Sequence, residues 1–314
     1  MVLITDSDDL ALGGDLPSWR AAEERARRTY PSVRWFHVTY GVAEQTGGGW
    51  LINPAAHVYP QEARDAMGFG FRVQALRRST PAPHREAYWE ASALLERERR
   101  NEVTVVGRRF RTVRVDRFVR SGAVGLEPPR PTDPDDVPEP DGDLSRTPIP
   151  RAWLPGSNEL FGERWEIVPA GAHVPADITR DARRALRTHP LVARLAPRFV
   201  IVKAVGPLWK PNSPYFHSPS AARARLARDL AVRTEAERDI RERAKLRAAT
   251  DALRSGPVRE VVVRGDTTYR IARVEYVIRM SDDGPEPPRP SDDDPIEPLT
   301  GETAELRTWP LRDD

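Results

Sequence analysis

The chain has 314 residues, 49 Lys+Arg against 47 Asp+Glu, a formal net charge of +2, and no cysteine. That length carries two ordinary domains, each with its own core, and the lack of cysteine excludes disulfides, thiol nucleophiles and cysteine-ligated zinc. No apolar run is long enough to cross a membrane, and Met1-Val2-Leu3-Ile4 passes at once into Thr5-Asp6-Ser7-Asp8-Asp9, so neither a membrane span nor a signal peptide is expected and a cytoplasmic protein is.

In chain order, a helix is expected from Ser18, a good N-cap, to the residue before Tyr30-Pro31, where proline stops it. An apolar strand follows from Trp35 to Ala43, and Gly47-Gly48-Gly49 turns the chain into a segment starting at Trp50. Pro60 sets the first turn of a second helix, and a third covers Arg85 to Arg100. Glu102–Val106 then turns at Gly107 into a long strand, Phe110–Arg120, followed by Glu127-Pro-Pro-Arg-Pro-Thr-Asp133.

The same order returns 159 positions later. Phe110–Asp133 and Tyr269–Asp292 are identical at 11 of 24 positions. Upstream, Thr29, Pro31 and Val33 fall on Thr188, Pro190 and Val192; Trp50 and Asn53 fall on Trp209 and Asn212; Pro60, Ala63 and Arg64 fall on Pro219, Ala222 and Arg223. One register kept over more than a hundred residues points to duplication. The expected fold is α+β, two tandem copies of an αββααββ domain related by a pseudo-twofold axis. Copy one spans 1–145 with its core over 17–140, copy two spans 158–314 with its core over 176–299, and 146–157 is the linker. In copy two the first helix starts at Asp177, a strand covers Phe199–Val205, and another helix starts after Pro219. Ala221–Arg254 reads as nearly continuous helix, and Glu260–Val263 turns at Gly265 into Tyr269–Arg279.

Period-two reading of the last strand puts Arg114, Asp116 and Arg120 on one face in copy one, and Arg273, Glu275 and Arg279 in copy two. The functional reading is an anion site; the plainer one is a half-solvated sheet face tied by ion pairs. Glu-Pro-Pro-Arg-Pro holds polyproline II and is either a docking peptide or a stiff strap over a sheet edge, with Arg130 or Arg289 reaching back to a carboxylate. Trp50 with Asn53, and Trp209 with Asn212, are the repeat-matched pocket candidates, set against the reading of core plugs and turn formers.

Charge is segregated. Glu127–Asp143 carries seven acids against one arginine, and Glu286–Glu297 five against one, which leaves a basic remainder able to bind nucleic-acid phosphates. Lys203, Lys210 and Lys245 are the only lysines, a bias that GC-rich codons explain before function does. No metal site, cofactor motif or catalytic signature is present, so no metal, cofactor or catalytic residue is assigned.

The elements Tyr269-Arg-Ile-Ala-Arg-Val274 and Gly284-Pro-Glu-Pro-Pro-Arg-Pro-Ser-Asp292 resemble a family of unknown function from GC-rich actinobacteria, with a repeated Glu-Pro-Pro-Arg-Pro-Ser/Thr-Asp motif. Copy one departs from it with Gly125-Leu126. The resemblance implies no activity, cofactor or site residue. The leading expectation is a non-catalytic, protein-binding or regulatory protein offering two similar surfaces to a protein partner. The alternatives are a nucleic-acid-associated protein using its arginine-rich helices, and an enzyme or binder of a small anionic ligand in one copy only. A deep cleft with converging polar groups in one half favours the last of these, a continuous basic groove the second, and an exposed apolar patch around Trp50 and Trp209 the first.

Overall fold

A computed structural model describes residues 16–135, 147–149, 173–206, 208–256, 260–263, 267–309 and 311. Most of the 146–157 linker and the Gly265 turn lie outside the described residues. The first half contains α1 (Leu16–Thr29), β1 (Ser32–Trp35), β2 (Thr39–Thr46), β3 (Gly49–His57), α2 (Pro60–Leu76), α3 (Ala82–Arg97), β4 (Glu102–Val105), β5 (Arg108–Gly122), β6 (Gly125–Leu126) and β7 (Thr147–Pro148). The second contains α4 (Ala176–Thr188), β8 (Leu191–Arg194), β9 (Arg198–Val205), β10 (Leu208–Phe216), α5 (Pro219–Ala236), α6 (Ile240–Ser255), β11 (Glu260–Val263), β12 (Thr267–Ser281), β13 (Gly284–Pro285) and α7 (Glu302–Leu306). The fold is mixed α+β with antiparallel strand pairing.

Two expectations need correction. The αββααββ order omits short strands: β1 ends at Trp35, so the expected Trp35–Ala43 strand is split between β1 and β2, β8 precedes the Phe199–Val205 strand, and β6 and β13 each follow the long one. They escape a periodicity reading because two to four residues cannot show a period. Nor is Ala221–Arg254 one helix. It breaks at Glu237–Asp239, where Asp239 caps α6 by accepting from the backbone N–H groups of Arg241 at 2.8 Å and Glu242 at 3.1 Å.

The chain forms two compact units, and each takes segments from both halves of the sequence. One comprises Met1–Phe36, Arg117–Glu139 and Ala196–Tyr276; the other comprises His37–Asp116, Pro140–Leu195 and Val277–Asp314. The division at 146–157 follows similarity along the chain, whereas compactness follows which segments touch.

In the first unit, β12 pairs with β9 from Tyr269↔Lys203 to Val274↔Arg198, and β9 pairs with β10. Helices α5 and α6 close one side over a core of Ile201, Leu226, Leu230, Leu246, Leu253 and Tyr269. Ser218 starts α5 by accepting from the Ala221 N–H at 3.2 Å, with Pro219 in the first turn. The end of β5 pairs with β1, Val33 facing Arg120. Here Gly122 lies so close to the Thr29 carbonyl, at the end of α1, that a Cβ would overlap it.

In the second unit, β2 lies between β3 and β5, with Val42 opposite Asn53 and Thr112, and Glu44 opposite Leu51 and Phe110. Helices α2 and α3 pack over Met67, Phe71, Tyr88, Trp89, Leu95 and Phe110. Glu62, three residues into α2, reaches back to accept from the Tyr59 N–H at 3.1 Å, and Pro60 occupies the first turn. The end of β12 pairs with β8, Ile278 facing Ala193.

Candidate functional site

The four arginines of the expected anion site, Arg114, Arg120, Arg273 and Arg279, and the two expected strap anchors, Arg130 and Arg289, lie among carboxylates of the protein itself, all buried except the half-buried Arg114. The first unit gathers Arg120, Arg130 and Arg273. Arg130 donates to Glu127 at 2.5 Å, to Glu23 at 2.7 Å and to Glu275 at 3.3 Å. Burial alone would lower its pKa, but Glu275, Glu127 and Glu23 hold it above the usual arginine range. Arg120 reaches Glu23 at 3.3 Å, and Arg273 holds Asp133 at 3.0 Å and also bonds Glu275.

The second unit gathers Arg114, Arg279 and Arg289. Arg289 donates to Glu286 at 2.6 Å, and Arg114 to Asp116 at 2.6 Å and Asp292 at 3.3 Å. Arg279 has its pKa held below the usual arginine range by burial, opposed by Glu286 and Asp116. The half-solvated face expected for the long strands is therefore absent here: Arg114, Asp116, Arg273 and Glu275 are covered, because the proline-rich segments lie across them. Backbone bonds fix that cover, with the Arg114 N–H on the Glu286 carbonyl and the Arg273 N–H on the Glu127 carbonyl, both at 2.9 Å.

Trp50 is buried against the guanidiniums of Arg109 and Arg111, 5.6 and 5.2 Å from its ring. Gly284 stands on it with φ +127°, and a Cβ there would come within 2.6 Å of the indole. Trp209 is half-buried, with Arg270 at 5.1 Å. Asn212 is exposed in β10, where the pairing with β9 shifts register. Asn53 lines a cavity.

That cavity, about 280 Å³, lies in the second unit between α2 and the β3-β2-β5 sheet. Its walls are apolar, formed chiefly by Leu51, Met67, Phe69, Phe71, Val73 and Phe110, and Phe69 is exposed. Polar groups enter from Asn53, His57, Gln74, Glu44 and Arg108. Glu44 is buried and accepts from Arg108 at 2.6 Å; Arg108 also donates to the Tyr88 hydroxyl at 3.3 Å and lies 5.3 Å from the Phe110 ring. Burial opposes the Arg108 charge, yet Glu44 and Tyr88 raise its pKa above the usual range. Glu44 and Arg108 thus satisfy one another at the cavity wall, which suits a polar, uncharged group beside them.

Of these cavity residues, only Asn53 was reached from sequence. Period two along β3 places Leu51, Asn53 and His57 on one face, and β2 places Val42 and Glu44 opposite. That alternation was the available signal. Among the described residues, no group of three His, Asp or Glu could hold a metal ion, and no helix is long and apolar enough to cross a membrane.

The model of a family of unknown function, DUF5954, matches residues 19–295, a span that includes the whole cavity. No curated protein and no solved structure matches the chain.

Proposed function

The chain belongs to the DUF5954 family, and since that family brings no known function, we propose one from the cavity: the protein binds a small, mainly apolar molecule with one uncharged hydrogen-bonding head. The observation that carries this is an apolar space between α2 and the sheet lined also by the polar residues Asn53, His57 and Gln74 beside the hydrogen-bonded Glu44–Arg108 pair. An apolar body lies against Phe71, Phe110 and Leu51, where burial contributes roughly 25 cal/mol per Å², and the head exchanges hydrogen bonds with Asn53 and His57. Binding is favoured over catalysis because Glu44 is buried and held by Arg108 at 2.6 Å. The protein-partner reading draws less from the fold, with Trp50 buried rather than at an exposed patch.

The test is native mass spectrometry of the full chain against Gly70→Leu. A Cβ at Gly70 meets nothing within 4 Å at the cavity wall, so leucine grows into open space while improving helix propensity. The expected result is small-molecule adducts on the native protein that vanish in the variant. Adducts equally abundant on both would place the ligand elsewhere.

We also infer that the two halves arose by duplication and then exchanged segments. Supporting this, contacts recur at positions 159 apart. Asp135 bonds Arg223 as Asp294 bonds Arg64, and Asp133 holds Arg273 as Asp292 holds Arg114. Trp50 and Arg111 meet the Gly284 turn, while Arg270, which lies over Trp209, meets the Gly125 turn.

A further inference from the structure

The first unit carries a cavity of about 400 Å³ whose polar lining inverts that of the second. Lys203, Arg233, Thr267 and Tyr269 line it, and they stand 159 positions after Glu44, Gln74, Arg108 and Phe110. As a set the earlier four are neutral, with Arg108 bound to Glu44. In the later four that acid has become a lysine, a neutral amide has become an arginine, and phenylalanine has gained a hydroxyl. Two positive charges and two hydroxyls now face one space.

From this we propose that the first unit binds a small organic anion, a phosphate monoester or carboxylate on a short apolar stem, through Lys203, Arg233, Thr267 and Tyr269. Arg233 donates to the Tyr269 oxygen at 2.6 Å, so the phenol accepts there and its own proton is free to donate elsewhere. Lys203 makes no ion pair among the described residues, whereas the buried strap arginines all do. Glu237 is the one acid in the lining. One of its carboxylate oxygens is engaged by the backbone N–H groups of Arg238 and Asp239 at 2.9 and 3.0 Å, which holds it back at the break between α5 and α6. Leu246 and Ala236 provide an apolar wall for the stem. Charge-assisted bonds from ammonium, guanidinium and hydroxyl donors are the chemistry by which such an anion is held.

This inference does not rest on the cavity of the second unit, and its test keeps the two apart. The full-length protein is titrated calorimetrically with phenyl phosphate and with phenylacetate at fixed ionic strength. Saturable binding of at least one is expected; phosphate alone identifies a phosphate monoester, and phenylacetate alone a carboxylate. Lys203→Gln at a half-buried position and Arg233→Gln at an exposed one should each weaken binding about tenfold, and Gly70→Leu should leave it unchanged. No saturable binding of either compound overturns the proposal. So does binding that both glutamine variants retain in full, or that Gly70→Leu alone removes.

Discussion

A buried carboxylate stays charged only while donors face it, and Glu23, Glu127 and Glu275 all face Arg130. Removing that arginine takes one partner from each acid; Glu23 keeps Arg27 and Arg120 and Glu275 keeps Arg273, while Glu127 loses the arginine that holds it, and breaking a buried pair in this way costs about 3–5 kcal/mol. Arg130→Ala should lower unfolding free energy in urea by that order, and a loss below 1 kcal/mol would mean the network is not holding the strap. His217 provides a pH test. Burial and nearby Arg198 lower its pKa from 6.5 to about 4. Between those values the unfolded chain takes up a proton that the folded chain refuses, so stability falls as pH drops from 6.5 towards 4. His217→Gln should flatten that part of the stability profile; an unchanged slope would assign it to other groups. At this scale Arg130 and Arg289 were legible in sequence as anchors reaching back to carboxylates, since proline fixes the backbone beside them. Their partner acids were not legible: Glu127 and Glu286 are neighbours in the motif, but Glu23 and Glu275 come from distant segments.

Among the elements, proline marks the starts of α2, α3 and α5, and Ser218 and Asp239 cap α5 and α6, but α1 and α4 begin at Leu16 and Ala176, ahead of the Ser18 and Asp177 expected as their caps. The break between α5 and α6 was hidden because arginines and acids alternate through it without an apolar period. Its signal was Asp239 with Glu242 three residues on, the spacing of a capped helix start. Asp239→Ala should cost about 1 kcal/mol, read by thermal unfolding, and no loss would show the cap to be incidental. The β12–β13 turn is governed by Gly284, whose positive φ and contact with Trp50 exclude a Cβ. Gly284→Ala should destabilise the protein and shift tryptophan fluorescence, whereas a variant with native spectrum and stability would contradict that close packing.

For the whole molecule, repetition in the sequence announces similarity but not which segments touch. Helix α1 carries the same local signals whether it packs on the strands of its own half or contributes to a unit built mainly from the other. Each unit takes segments from both halves, so 1–145 and 158–314 expressed separately should lack cooperative unfolding and regain it when mixed. Two independent cooperative transitions would contradict that interleaving. The cavity is equally hidden in the sequence, because its wall joins strand faces to the face of α2 carrying Met67, Gly70 and Val73, and the repeat match singles out Asn53 of its lining. The central claim is that this cavity takes a small apolar ligand. Its most direct measurement is a fluorescence titration of the neutral apolar dye N-phenyl-1-naphthylamine against wild type, Gly70→Leu and Lys203→Gln. We expect saturable enhancement at one site per chain in wild type and Lys203→Gln, and its loss in a folded Gly70→Leu variant. Absence of saturable enhancement in wild type, or equal enhancement in Gly70→Leu, would contradict the account.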